Sequence, residues 1–133
     1  MLMLDYLFVY GTLLKNFDSY MSKFLEKNAE FVSEGYFYGK LYEVSWYPGA
    51  VLSTNETEKV YGHIFKIKNE AKTFKILDDY EGIVETAEHP NEYTRVLIDA
   101  FLSNNTTIKS WVYVYNFKTT NLKRILSGNY LKQ

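Results

Sequence analysis

The sequence predicts an α+β domain: a mixed, strongly curved or closed, small β-barrel-like sheet carrying two or three short helices. Three observations point there. Short apolar and aromatic runs with strand character outnumber the helical patterns, the connections between them are brief, and glycines interrupt the longest strand-like run, as a sheet that bends sharply requires. The chain of 133 residues carries no internal repeat, low-complexity tract or flexible linker, so residues 1–133 are expected to form a single domain.

Each element has a local cause. Tyr6–Tyr10 is an apolar run and predicts the first strand. Asp18 is placed to cap a short helix in which Met21, Phe24 and Leu25 share one face, ending near Asn28. Phe31–Val44 predicts a long aromatic strand with bulges or bends at Gly35 and Gly39. Tyr47-Pro48-Gly49 is a turn signal before a short strand, Ala50–Ser53. Asn55–Lys59 is polar and predicts a loop, and Val60–Ile67 another strand.

Asn69 is expected to cap a helix reaching about Tyr80, with Ala71, Phe74 and Leu77 at spacing three and Gly82 as its stop. Ile83–Asn91 predicts a loop, Thr94–Leu102 a strand, Asn104-Asn105 a turn. Ile108–Tyr115 predicts a strand with Trp111, Tyr113 and Tyr115 on one face. Leu122, Ile125 and Leu126 suggest a small final helix.

Composition narrows the function. With 47% hydrophobic and 23% charged residues the chain can bury an ordinary core. Its net charge of −1 offers no electrostatic case for nucleic acid or an anionic membrane as the main partner. There is no cysteine, which removes disulfides, thiolate zinc sites and a thiol nucleophile and agrees with a cytoplasmic setting. The start of the chain lacks a basic segment and a small-residue cleavage site, so it reads as a strand and not as a signal peptide. No apolar run has the length of a membrane span. His63 and His89 lack any metal-ligand spacing, and neither a nucleophile elbow nor a nucleotide-binding glycine loop occurs.

Two segments carry chemistry. Tyr10-Gly11-Thr12-Leu13 ends the first strand, where Gly and neighbouring backbone N–H groups can grip a carboxylate or carbonyl oxygen; a plain turn is the alternative. Leu77-Asp78-Asp79-Tyr80-Glu81-Gly82 packs three acids into four positions at a helix end, where mutual repulsion and the helix dipole disfavour ionisation. A carboxyl so placed suits proton transfer near neutral pH; the alternative is a solvated helix end.

In order and spacing these segments resemble the γ-glutamylcyclotransferase-like superfamily, closest to the small single-domain branch that includes γ-glutamylamine cyclotransferase. Tyr10–Leu13 resembles its N-terminal glycine loop, and Gly39-Lys40-Leu41-Tyr42 with Tyr47-Pro48-Gly49 its second block. Val60–Phe65 resembles its central strand, and Leu77–Gly82 the segment holding its catalytic Glu. Tyr93-Thr94-Arg95, Trp111–Tyr115 and Ser127-Gly128-Asn129-Tyr130 resemble its later blocks.

The resemblance implies that a γ-glutamyl amine or peptide closes to 5-oxoproline and releases its amine. Glu81 would be general acid and base. Gly11, Thr12 and Leu13 would bind the glutamyl α-carboxylate, and Tyr10, Tyr93 and Tyr115 would line the pocket. It implies no metal and no organic cofactor. The expected partner is a small γ-glutamyl molecule, with no nucleic acid and no membrane, on a monomer or homodimer.

Asp78 could face the same way as Glu81, three residues on, but a structural or solvated role is expected for Asp78 and Asp79. Arg95 is expected in a sheet-end ion pair rather than on substrate. The loops Tyr47–Gly49 and Ile83–Asn91 would select the leaving amine. The competing readings are a non-catalytic small-molecule-binding or structural domain that keeps the fold, and an aromatic-lined nucleic-acid binder.

Overall fold

A computed structural model describes residues 5–11, 20–81 and 91–132. Among them, strands β1 (Tyr6–Val9), β2 (Ala29–Glu43), β3 (Pro48–Leu52), β4 (Lys59–Ile67), β5 (Tyr93–Leu102), β6 (Thr107–Tyr115) and β7 (Lys123–Arg124) alternate with helices α1 (Tyr20–Asn28) and α2 (Glu70–Tyr80). A single 3₁₀ turn, Tyr130–Lys132, follows.

Five strands close into a barrel. β1 lies between β4, antiparallel, and β6, parallel. β5 runs antiparallel to β6, and β2 antiparallel to β4. Gly35 and Tyr36 of β2 then pair with Leu102 and Phe101 of β5, which completes the ring in the order β1-β4-β2-β5-β6. The one parallel pair makes the sheet mixed, as the sequence predicts. Gly35 is required at the closure: a Cβ there would run into the backbone carbonyl of Phe101. Beyond Gly39, β2 exchanges β4 for β3 and then also pairs with β7.

Strand alternation divides the core in two. Phe8, Phe37, Val60, Ile64, Ala100 and Val112 fill the barrel, with Phe8 and Phe37 edge-to-face at 5.0 Å between ring centroids. The intervening residues Leu7, Val9, Phe65 and Tyr113 point outward and are covered by Met21 and Leu25 of α1 and Phe74 and Leu77 of α2. β1 is therefore buried on both faces, which explains its unbroken apolar run. Truncating one of its fully buried side chains, such as Phe8→Ala, would cost about 3–5 kcal/mol.

Three details differ from expectation. The bulge in β2 falls between Phe31 and Ser33, not at a glycine. Asn69 opens α2 in a left-handed conformation (φ 52°) without a side-chain capping bond; its backbone carbonyl accepts the Thr73 N–H at 3.0 Å. α2 itself ends at Tyr80, as the spacing predicts, and the N–H of the next residue, Glu81, donates to the Leu77 carbonyl at 2.9 Å.

The expected final helix is absent. Lys123 and Arg124 instead pair with β2, the Ile125 N–H donates to the Leu41 carbonyl, and Ile125 is buried while Leu126 is 83% exposed. Adjacent residues facing opposite ways mark extended chain, so the spacing of Leu122, Ile125 and Leu126 was not a helical face. Asp18, Gly82 and most of the loop Ile83–Asn91 lie outside the described residues.

Candidate active site

Four chain segments meet where β1 leaves the barrel. The end of β1 brings Tyr10 and Gly11. The C-terminus of α2 brings Glu81. The entrance to β5 brings Glu92 and Tyr93, and the β2–β3 turn brings Trp46, Tyr47 and Pro48. Together they line a cavity of about 230 Å³. Gly11 is buried against the Pro48 ring, where a Cβ would come within 2.8 Å of Cγ, so only glycine allows this approach.

The tyrosines are tied down by their hydroxyls. Tyr10 donates to the Tyr113 carbonyl at 2.5 Å and accepts from the Ala50 N–H at 3.1 Å. Tyr93 donates to the Pro48 carbonyl at 2.6 Å. These bonds stitch β1, β3, β5 and β6 around the cavity, so Tyr10 and Tyr93 serve as walls. Burial, the main cause in each case, pushes the Tyr10, Tyr93 and Tyr113 phenols far above their usual range, and they stay protonated at neutral pH. Tyr115 stands behind Tyr93, its ring edge-on at 5.7 Å, and is not among the residues lining the cavity.

Glu81 is largely buried and faces this space. Burial first, then the nearby charges of Glu92 and Asp78, raise its carboxyl from 4.5 to about 7. Its side chain makes no hydrogen bond to another described residue. Near neutral pH it therefore holds comparable amounts of acid and base, the condition for passing a proton in both directions.

Asp78 faces the same side of α2 but is committed elsewhere. It accepts from Arg95 Nε at 2.9 Å, from the second guanidinium nitrogen at 3.3 Å, and from the Tyr113 hydroxyl at 2.6 Å. Arg95 is held between the rings of Phe74 (4.4 Å) and Trp111 (4.6 Å). This network fixes the last turn of α2 to the barrel and so positions Glu81. Asp79 is exposed.

The site also contains residues that sequence reasoning did not single out. Glu92 is half-buried and accepts from the Tyr47 hydroxyl at 2.7 Å, a bond that pushes the Tyr47 phenol up to about 12. Its place just before the Tyr-x-Arg segment was the only signal that could have marked it. Thr12 and Leu13, like His89, lie outside the described residues. No group of three or more His, Cys, Asp or Glu arranged to hold a metal occurs among the described residues, and no helix there is long and apolar enough to cross a membrane.

The barrel and its two helices are those of a γ-glutamylcyclotransferase-like fold. The family model described as gamma-glutamyl cyclotransferase, AIG2-like, matches residues 7–132, and the chain belongs to that family. Among solved structures, protein ytfP from Escherichia coli is 30% identical, with a TM-score of 0.63 and 96% of each chain covered. An AIG2-like protein from Mus musculus is 18% identical, with a TM-score of 0.69 over 87% of this chain and 80% of that one. YkqA from Bacillus subtilis is 20% identical, with a TM-score of 0.70; the match takes in 96% of this chain but only 39% of the Bacillus protein. No curated protein matches the chain.

Proposed function

We propose that the protein is a cyclotransferase that closes the glutamyl group of a γ-glutamyl amine or γ-glutamyl peptide to 5-oxoproline and releases the amine. The observation that carries this reading is Glu81: a carboxyl brought to about 7, opening on a small cavity beside a buried glycine at a strand end. Family membership supports the same reaction class.

The substrate's glutamyl end lies against Gly11, whose backbone N–H is placed to receive the α-carboxylate. Ionised Glu81 takes a proton from the α-ammonium. The freed nitrogen attacks the γ-carbonyl carbon of the same molecule, forming the C–N bond of a five-membered lactam. The carbonyl electrons move to oxygen in the tetrahedral intermediate. They return as the bond to the departing nitrogen breaks, and Glu81 gives that nitrogen its proton. On attack the ring nitrogen becomes cationic and loses a second proton, which Glu81, ionised again, passes to the released amine. Two protons leave the α-nitrogen, two reach the leaving nitrogen, and the enzyme ends in its starting state.

Proton transfer by such a group contributes about 10²- to 10⁴-fold in rate. The walls formed by Tyr10, Tyr93 and Pro48 add the bent, near-attack geometry that ring closure needs. The test is 5-oxoproline release from a panel of γ-glutamyl amines and dipeptides, by wild type and Glu81→Gln. Turnover that falls by about a hundredfold or more in the variant supports the proposal. Binding without turnover would favour the non-catalytic domain, and turnover that survives the substitution would remove Glu81 from its role.

A further inference from the structure

The cavity holds a second carboxylate that the reaction above does not use. Glu92 stands at the entrance to β5, and Tyr47, donating to Oε2 at 2.7 Å, fixes its position. Tyr47 is half-buried, and its neighbour Trp46 is 73% exposed with its ring edge-on to Tyr47 at 5.0 Å. Glu92 and Tyr47 lie beside the exposed Trp46 on the solvent side of the cavity, whereas Gly11 at its other end is buried. A small glutamyl head seated against Gly11 and Glu81 must extend its other half toward this outer side.

Among the described residues the lining there has one sign of charge. No Lys or Arg lines the cavity among the described residues, and Arg95 is already paired with Asp78. Two carboxylates with Trp46, Tyr47 and Tyr80 around them make an environment that favours a cation, through direct charge and through the ring faces. It repels an anion by the same terms.

We infer that Glu92, oriented by Tyr47, is a specificity-determining residue that selects γ-glutamyl substrates whose leaving amine carries a second positive charge. This rests on the cyclotransferase reading and refines its substrate class. A diamine-type leaving group fits. An amino acid whose free carboxylate reaches the same place is disfavoured.

Three probes of equal length isolate the charge: γ-glutamyl-1,4-diaminobutane, γ-glutamyl-pentylamine and γ-glutamyl-4-aminobutyrate, whose far ends are positive, neutral and negative. The readout is kcat/KM for 5-oxoproline release by wild type, Glu92→Gln and Tyr47→Phe. Wild type is expected to favour the cation over the neutral probe by about five- to tenfold, as for a part-buried charge pair, and to discriminate further against the anion. Glu92→Gln should bring the three values together. Tyr47→Phe, which frees the carboxylate without removing it, should reduce the preference partway.

Any effect of Glu92 on Glu81 acts on all three probes alike and leaves their ratios unchanged. Equal kcat/KM for the three probes in wild type would overturn the inference and leave the cyclotransferase intact. So would a Glu92→Gln variant that slows all three equally, which would place Glu92 on the α-ammonium instead. No turnover of any probe by wild type would overturn the functional reading itself.

Discussion

Replacing Glu81 by Gln tests the electrostatics of the site without reference to any substrate. In the native protein the carboxyl is held at about 7, against 4.5 ordinarily, with burial as the first cause. Below about pH 4.5 both folded and unfolded chains carry the proton, and the group has no effect on stability. Between about 4.5 and 7 the unfolded chain has released the proton while the native one retains it. Stability therefore falls as pH rises through this window, and above about 7 the loss is complete. At about 1.4 kcal/mol per pH unit, with partial solvent contact reducing it, the loss is about 2–3 kcal/mol. For a chain of this length that is roughly 10 °C in Tm. Gln is neutral throughout and escapes the loss. Urea or thermal denaturation of wild type and Glu81→Gln at pH 4.5, 6 and 8 should show similar stabilities at the lowest pH, with the variant ahead by about 2–3 kcal/mol at the highest. Other groups titrate alike in both proteins and cancel in the difference. A difference that does not change with pH would refute the raised carboxyl and, with it, the reason for assigning Glu81 the proton transfers.

The same carboxyl should make kcat/KM for a cyclised substrate rise with pH through about 7, because the ionised form is the base; a pH–rate profile with no inflection there would count against it. Tyr10→Phe keeps the cavity wall but leaves the Tyr113 carbonyl and Ala50 N–H without their buried partner, so denaturation should show a loss of about 1–3 kcal/mol. Arg95→Ala removes the cation stacked between Phe74 and Trp111 and leaves Asp78 without its ion-pair partner; a loss of about 2–4 kcal/mol is expected, together with reduced kcat from a loosened α2 terminus.

Much of this protein is written in local pattern. The apolar run at Tyr6–Tyr10, the spacing of Phe74 and Leu77, and the alternation through Trp111, Tyr113 and Tyr115 reflect faces that one chain segment must bury, and strand and helix periods report them directly. The glycine after β1 and the carboxyl after α2 were legible too, because each stands at the end of a well-marked element. Closure of the barrel was anticipated, but the β2–β5 pairing that achieves it joins residues more than sixty positions apart, and no local signal names the partners. The end of the chain misled for a related reason: near Leu122–Leu126 the pull of the open β2 edge outweighs the apparent helical spacing. Composition alone determined that the chain is rich in aromatics and without thiol chemistry, and the strand pattern with its glycines pointed to a small barrel. Tertiary structure decided what surrounds each acid. Asp78, Glu81 and Glu92 are chemically near-equivalent in the sequence, and only their surroundings separate them: an arginine and a tyrosine for Asp78, burial for Glu81, and a tyrosine at the outer side of the cavity for Glu92. A carboxylate's role follows from its solvation and its partners, and those come from distant parts of the chain.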